Sequence, residues 1–372
     1  MREVSIARID KDYKNALEVS LNLIGGLGSF IKKDDSVILK PNLNDFESYT
    51  SVELVEALIE MLLGIGTKEL IIAESTFGNG RITEQHFNKT GYSGLPKKYN
   101  KYNIKLLNLN YSRPKKIKVD SHKVLTEIDI AEEICEKYKI INLPVMKVHY
   151  ATGLTIGIKN LKGFLTKDEK KHFHEVGLSE AIYDLSQCII PHLTIVDGSR
   201  SMETMGPKGG NLVDLNCIVS GQNPGDVDWI CSKIMGFEPE EVKHLQYYLS
   251  SIDFDETEIT TVGCKIEDVY HEFERVDMKK YFPDNFTINS VNACSTCENA
   301  LLLSLKLLGK TPEEEIIIQL GSKCQVSDKT CKKISVSFGN CSIKSVKNVL
   351  RVKGCPPYPF ELKKIFKQNG IL

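Results

Sequence analysis

Four apolar runs of strand length in this chain end in the same way, each leading into polar residues and an Asn- or Gly-bearing loop. Ser36-Val-Ile-Leu-Lys40 leads into Pro41-Asn-Leu-Asn44, and Glu69-Leu-Ile-Ile-Ala-Glu74 leads into Ser75, Thr76, Gly78 and Gly80. Ile140-Ile-Asn-Leu-Pro144 opens a basic stretch, and Leu193-Thr-Ile-Val-Asp197 precedes Gly198 and the loop around Gly206, Lys208 and Gly209. Between the first two runs, Val52, Leu54, Val55, Leu58, Ile59 and Leu62 form a helical stripe with Ser51 as its N-cap. Strand, helix and strand in that order imply a right-handed crossover and a parallel pair. The predicted fold class is therefore α/β, a mostly parallel sheet flanked by helices. A sheet of that kind presents its polar strand ends along one edge, where such folds place ligands.

The longest polar arrangement follows the third run. Pro144 to Gly163 carries Lys147, His149, Thr152, Thr155, Lys159, Asn160 and Lys162 among glycines, with no single helix or strand period. Basic side chains beside close-packed backbone suit a small anion. The reading assigns substrate contacts to Lys40, Asn42, Glu74, Ser75, Lys147, Thr155, Asn160 and Lys162. His149 is assigned proton transfer, Lys159 charge stabilisation, and Asp197 or Glu74 the role of an orienting carboxylate. A plain strand-to-loop exit with an Asn turn would also account for Lys40, Asn42 and Asn44. Residues 130–139 are read as a helix, and His172 and His174 as neighbours in a loop, able to chelate a metal if a further ligand were near.

Cysteine use divides the chain. Of eleven cysteines, Cys135, Cys188, Cys217, Cys231 and Cys264 are scattered, whereas Cys294, Cys297, Cys324, Cys331, Cys341 and Cys355 crowd the C-terminal part. Cys294-Ser-Thr-Cys297 begins a periodic helix, and the strands 315–320, 333–338 and 349–353 close on Cys324, Cys341 and Cys355. Parallel strands, with a helix at about 342–348, would bring these thiols together. Four converging thiolates imply zinc or an iron–sulfur cluster. One tight pair joined to distant single cysteines, one of them followed by proline, points to a [4Fe-4S] cluster on Cys294, Cys297, Cys341 and Cys355. Cys324 is held in reserve and Cys331 is the weakest candidate. Zinc, redox disulfide chemistry and structural cysteines remain the alternatives. The predicted organisation is an α/β domain over 1–250, a connecting region over 251–290 and a smaller cysteine-rich α/β domain over 291–372.

The chain resembles the family catalogued as domain of unknown function 362. The likeness is carried by Ile38-Leu-Lys-Pro-Asn42, Leu143-Pro-Val-Met-Lys-Val-His149, Gly153 to Gly163, Phe173-His174, Ile195-Val-Asp-Gly198 and Gly206-Pro-Lys-Gly209. It continues through Asp226-Val-Asp228 and Lys233 to Pro239. The family's frequent association with iron–sulfur modules implies a cluster here too, although this chain has no Cys-x₂-Cys-x₂-Cys repeat. A fainter similarity links the His-Gly-Lys stretch to nickel-pincer lactate racemases.

A net charge of -1 argues against nonspecific nucleic-acid binding. Apolar runs of strand length fall short of the ~20 residues a membrane span needs. With a charged first segment in place of a signal peptide, the expected location is the cytoplasm. The expected function is an iron–sulfur protein, an oxidoreductase or cluster-assisted enzyme acting on a small anionic substrate, with an electron-transfer protein as a possible partner. A non-enzymatic carrier of a cluster, electrons or metal, and a racemase- or hydro-lyase-like enzyme, are the rival readings.

Overall fold

The computed structural model describes residues 2–76, 80–135, 138–322, 333–345 and 349–372, without the side chains of 278, 279 and 343–345. Cys324, Cys331, Gly78 and the end of the helix expected at 342–348 lie outside the described residues. The chain divides into two compact units, Met1–Val276 and Asp277–Leu372.

The first unit is built on β1 (Arg2–Arg8), β2 (Ser36–Pro41), β3 (Glu69–Glu74) and β4 (Ile104–Asn108). A hairpin-like pair, β5 (Pro114–Lys118) and β6 (Glu127–Ala131), forms a sheet of its own. β7 (Lys139–Leu143), β8 (Val145–His149), β9 (Gly153–Thr155), β10 (Leu193–Glu203), β11 (Asn211–Val213), β12 (Cys217–Gly221) and β13 (Ile259–Gly263) complete it. Among the described residues the main sheet runs β13-β1-β12-β10-β7-β2-β3-β4, with β8, β9 and β11 branching from β10 and β8. The block β10-β7-β2-β3-β4 is parallel throughout, and β12 enters antiparallel to both β10 and β1.

Period-two alternation sorts the core. Val37, Leu39, Leu70, Ile72 and Ile141 face one apolar cluster with the helices Tyr13–Leu23 and Val52–Ile65. Ile38, Ile71 and Ile140 face the other, shared with the helices Leu178–Cys188 and Pro224–Ile234. Both faces of the sheet are covered, so its strands read as continuous apolar runs rather than half-polar ones. Function is thereby pushed to the strand ends.

Two local readings change. The stretch expected as a helix at 130–139 is the end of β6 followed by a short 3-10 turn, Glu132–Cys135. Ile128 and Ile130, both buried, already alternate as a strand requires. The loop expected around His172 and His174 is the helix Lys167–Val176, with Asp168 and Glu169 in its first turn, where the helix dipole favours acid. Two residues apart on a helix, these histidines point away from each other. His172 lies 3.6 Å from Glu169, while His174 turns to Lys162.

The second unit is a parallel sheet in sequential order: β14 (Phe286–Val291), β15 (Ile316–Gly321), β16 (Ile334–Phe338) and β17 (Leu350–Val352). Its core is separate, with Leu301, Leu305, Ile318, Val336, Leu362 and Phe366 among its members. The unit boundary falls after β13, which pairs with β1, within the 251–290 stretch that the sequence left unassigned.

Candidate functional site

The strand ends of the first unit meet in a frame of buried polar contacts. Lys40 and Glu74, at the ends of neighbouring strands, form an ion pair of 2.8 Å with no exposure of the lysine. Glu74 also accepts from the Ser75 and Leu43 amides. Gly163 packs directly on the pair: a Cβ there would fall 2.3 Å from both Lys40 Nζ and Glu74 Oε1. Asn160 donates to the Lys40 carbonyl at 3.1 Å and to Asn142 Oδ1 at 2.8 Å, and accepts from Asn42 at 3.1 Å. Asp228 anchors the turn carrying Lys159 by accepting from the Gly157 and Ile158 amides at 2.7 and 2.9 Å. Burial still pushes its carboxyl up to about 7. A Cβ on Gly157 would lie 2.7 Å from that carboxylate, so glycine is what lets the anchor close.

Asp197 is fully buried and committed locally. It accepts from the Ser51 amide at 2.8 Å and from the Ser199 amide and hydroxyl at 3.0 and 2.6 Å. Its carboxylate thus stands at the start of the helix Val52–Ile65, in place of a side-chain cap from Ser51. Ser75 gives its hydroxyl to the Gly163 and Leu165 carbonyls and receives Lys170.

Within this frame lies a group of amines and imidazoles. Lys147 donates to the Ser48 carbonyl, and Lys159 Nζ lies 2.7 Å from Thr152 Oγ1. Lys162 Nζ lies 3.2 Å from His174 Nε2. Burial lowers every lysine here: Lys147 to about 8, Lys162 and Lys170 to about 7, and Lys159 well below the usual range. After burial, the charges acting on Lys159 are those of Lys162 and Lys147. Burial likewise takes His149 far below its ordinary value, with Lys159, Lys162, His174 and His244 adding to the effect. His149 Nδ1 accepts from the Ala151 amide at 3.1 Å, so the neutral ring carries its proton on Nε2. Thr155, opposite Lys147 in the β8–β9 pair, has a buried hydroxyl without a hydrogen-bond partner among the described residues; His244 Nδ1 is in the same position.

Three participants escaped the sequence reading. Lys170 shares a helix face with Phe173 and His174, an i, i+3, i+4 pattern that was available. His244 lies on the helix Lys243–Ser251, where only tertiary packing buries it, and its pKa falls to about 3. Lys208 was noted only as a loop residue; it is half-buried, which lowers its pKa, and Asp45 is the charge that acts against that lowering.

In the second unit, Cys294 caps the helix Ser295–Leu308 and Cys297 lies in its first turn. Hydrogen bonding from the Cys297 thiol, then from nearby amides, lowers Cys294 to about 6. Cys297 is raised, chiefly by that same bond and by burial, and it also feels Cys355 and Cys341. Gly339, at φ +93°, marks the meeting point. A Cβ there would lie 3.3 Å from Cys297 Sγ, 3.9 Å from the Gly354 carbonyl and 3.9 Å from Pro357 Cδ. The Asn340 amide donates to the Gly354 carbonyl, and the Gly354 amide donates to Asn340 Oδ1, each at 2.9 Å. The residues preceding Cys341 and Cys355 are therefore locked together. Among the described residues, no three Cys, His, Asp or Glu side chains close tightly on a single ion.

Residues 37–233, more than half of the chain, match the family described as Domain of unknown function (DUF362). The thylakoid-associated protein sll1697 of Synechocystis sp. is 26% identical over 238 residues, 61% of this chain and 71% of that protein. Among solved structures, the lactate racemase apoprotein from Thermoanaerobacterium thermosaccharolyticum aligns with a TM-score of 0.46 at 12% identity, over 96% of this chain and 88% of that one. Among the described residues no helix is long and apolar enough to cross a membrane.

Proposed function

The chain belongs to the DUF362 family, and we propose that it is a cytoplasmic iron–sulfur enzyme whose first unit holds a small anionic substrate among Lys147, Lys159, Lys162 and His149. The observation that carries this reading is Lys159. It is buried, flanked by the charges of Lys147 and Lys162, and enters no ion pair among the described residues. Keeping it protonated there without a counter-ion would cost several kcal/mol, which drives the amine toward its neutral form, and a bound anion would offset that cost. In this reading Lys147 and Lys162 attract carboxylate or oxyanion groups, Thr155 gives its unpartnered hydroxyl, and His149 donates through Nε2. Lys40, Asn42, Glu74, Ser75, Asn160 and Asp197 hold the frame.

Cys294, Cys297, Cys341 and Cys355 would hold a [4Fe-4S] cluster. A cubane takes each thiolate on a different iron, so the thiols need to share a sheet edge rather than a point. The shared edge at Gly339 and the low pKa of Cys294 support this assignment. When bound, such a cluster supplies one-electron transfer, with a redox protein as partner.

Iron and acid-labile sulfide would be measured on protein purified without oxygen, and oxalate binding followed by calorimetry in two buffers of different ionisation enthalpy. Iron and sulfide in equal amounts, with proton uptake on oxalate binding at pH 8, are the expected results. Iron-free protein would remove the cluster from this reading, and absence of oxalate binding would remove the anion site. A proton-transfer enzyme of racemase or hydro-lyase type is the second reading. The observation favouring it is that two neutral histidines, His149 and His244, both feel the charge of Lys159. Turnover that survives replacement of Cys341 and Cys355 would select it.

A further inference from the structure

The buried lysines of the first unit differ in what their nitrogens are doing. Lys40 is neutralised by Glu74, and Lys147 and Lys170 donate to backbone carbonyls. Lys162 is bonded to His174 and is only partly buried. The bond of Lys159 is different in kind. Thr152 Oγ1 donates its own hydrogen to the Leu154 carbonyl at 3.2 Å, so toward Lys159 it can only accept. That contact uses one N–H of the amine and leaves a lone pair on the nitrogen whenever the group is neutral.

We propose that Lys159 is a nucleophilic amine that condenses with the carbonyl of a small 2-oxo acid to form an imine. The proposal rests on the anion-binding reading of the same site and names its substrate class. A buried lysine beside other cations is the setting in which an amine becomes a nucleophile at neutral pH, and the lowering of Lys159 agrees with this. The substrate's carboxylate is met by Lys147 and Lys162, and the hydroxyl of Thr155, across from Lys147, is available to the same group. His149, carrying its hydrogen on Nε2, donates to the carbonyl oxygen. The Nζ–C bond forms as the carbonyl π bond opens, giving a carbinolamine. The C–O bond then breaks, and the oxygen leaves as water with the two hydrogens that the amine gives up. No electrons are gained or lost, so no oxidant or reductant is needed.

The test treats the full-length protein with pyruvate and cyanoborohydride at neutral pH and maps the reduced adduct by peptide mass spectrometry. Oxalate, which has no ketone, serves as competitor, and its own binding is followed by thermal shift. The expected result is an adduct on Lys159 that oxalate suppresses and that falls about tenfold or more in Lys159→Arg, a change that keeps the charge but removes the nucleophile. Circular dichroism establishes that the variant is folded; if it is not, the position of the adduct and its suppression by oxalate in the wild-type protein decide. Oxalate binding with no adduct, or with label on Lys162 instead, would overturn the imine while leaving the anion site in place. Loss of both oxalate binding and adduct would overturn the two together.

Discussion

Lys40 and Lys159 are both buried lysines within one polar frame, yet the fold treats them in opposite ways. Lys40 has a carboxylate at 2.8 Å, two strands to hold it and a glycine shaped to its pair. Lys159 has a hydroxyl at 2.7 Å and the positive charges of two other lysines. One arrangement is complete as it stands, and the other is complete only with an added anion. The difference separates the residues that build the site from those available to a ligand, a distinction that residue type alone does not make.

The largest effects should come from breaking the complete pair. Glu74→Gln leaves the Lys40 ammonium buried without its counter-charge, which should cost about 3–5 kcal/mol in denaturant unfolding. Gly163→Ala should approach the same loss, because its methyl must displace the pair. A loss below about 1 kcal/mol in both variants would show that Lys40 is not held as the geometry implies.

Next in size is the pH dependence of the incomplete arrangement. Lys147, Lys162 and Lys170 sit at about 8, 7 and 7 when folded and near 10.5 when unfolded. Between pH 7 and 9 the unfolded chain therefore binds more protons, and ligand-free stability must rise with pH. The slope is bounded by about 1.4 kcal/mol per pH unit for each group. The thermal midpoint should climb across this window, and Lys162→Met should flatten the climb. A midpoint that falls from pH 7 to 9 would contradict the burial of these amines. Oxalate should show the reverse trend, binding more weakly as pH rises, because only the protonated lysines attract it.

Lys159→Met removes a buried, uncompensated amine. It should leave ligand-free stability unchanged or raise it by about 1 kcal/mol, while abolishing stabilisation by oxalate. The opposite signs expected at Lys159 and Glu74 are the sharpest form of the comparison. Destabilisation at both positions would make Lys159 a structural residue.

Much of this frame was legible in the sequence because strand ends are a local signal. Lys40, Glu74 and Asp197 each close a run of apolar residues, and the α/β sheet follows from those runs. What each charge does at its strand end was not legible. Asp197 was read as an orienting carboxylate; its oxygens meet the amide of Ser199, two residues on along its own strand, and that of Ser51, 146 positions away, a partnership only the tertiary fold sets. His244 could not be read because nothing within its own helix distinguishes it from a surface histidine. Its burial is a property of how that helix packs. The stretch at 130–139, read as a helix, is a different failure: it begins inside β6, whose alternation of Ile128 and Ile130 was already present in the sequence.

The cysteine edge should give the smallest effect on the first unit, for a reason the same comparison supplies. A thiol is cheap to place at a sheet edge, since the neutral form loses little hydration, whereas an ammonium buried alone is costly. Cys341 and Cys355 are exposed, and the core beneath them is built from Leu301, Leu305, Val336 and Phe366, none shared with the first unit's clusters. Cys341→Ser and Cys355→Ser should therefore leave the unfolding of residues 1–276 and its response to oxalate within about 0.5 kcal/mol of the parent. Iron and sulfide bound to the chain should nonetheless be lost in both variants. Iron retained at the parental level in the double variant would move the ligand set away from these thiols. A collapse of oxalate binding in the same protein would show that the anion site and the cysteine edge depend on one another, against the independence that their separate cores imply.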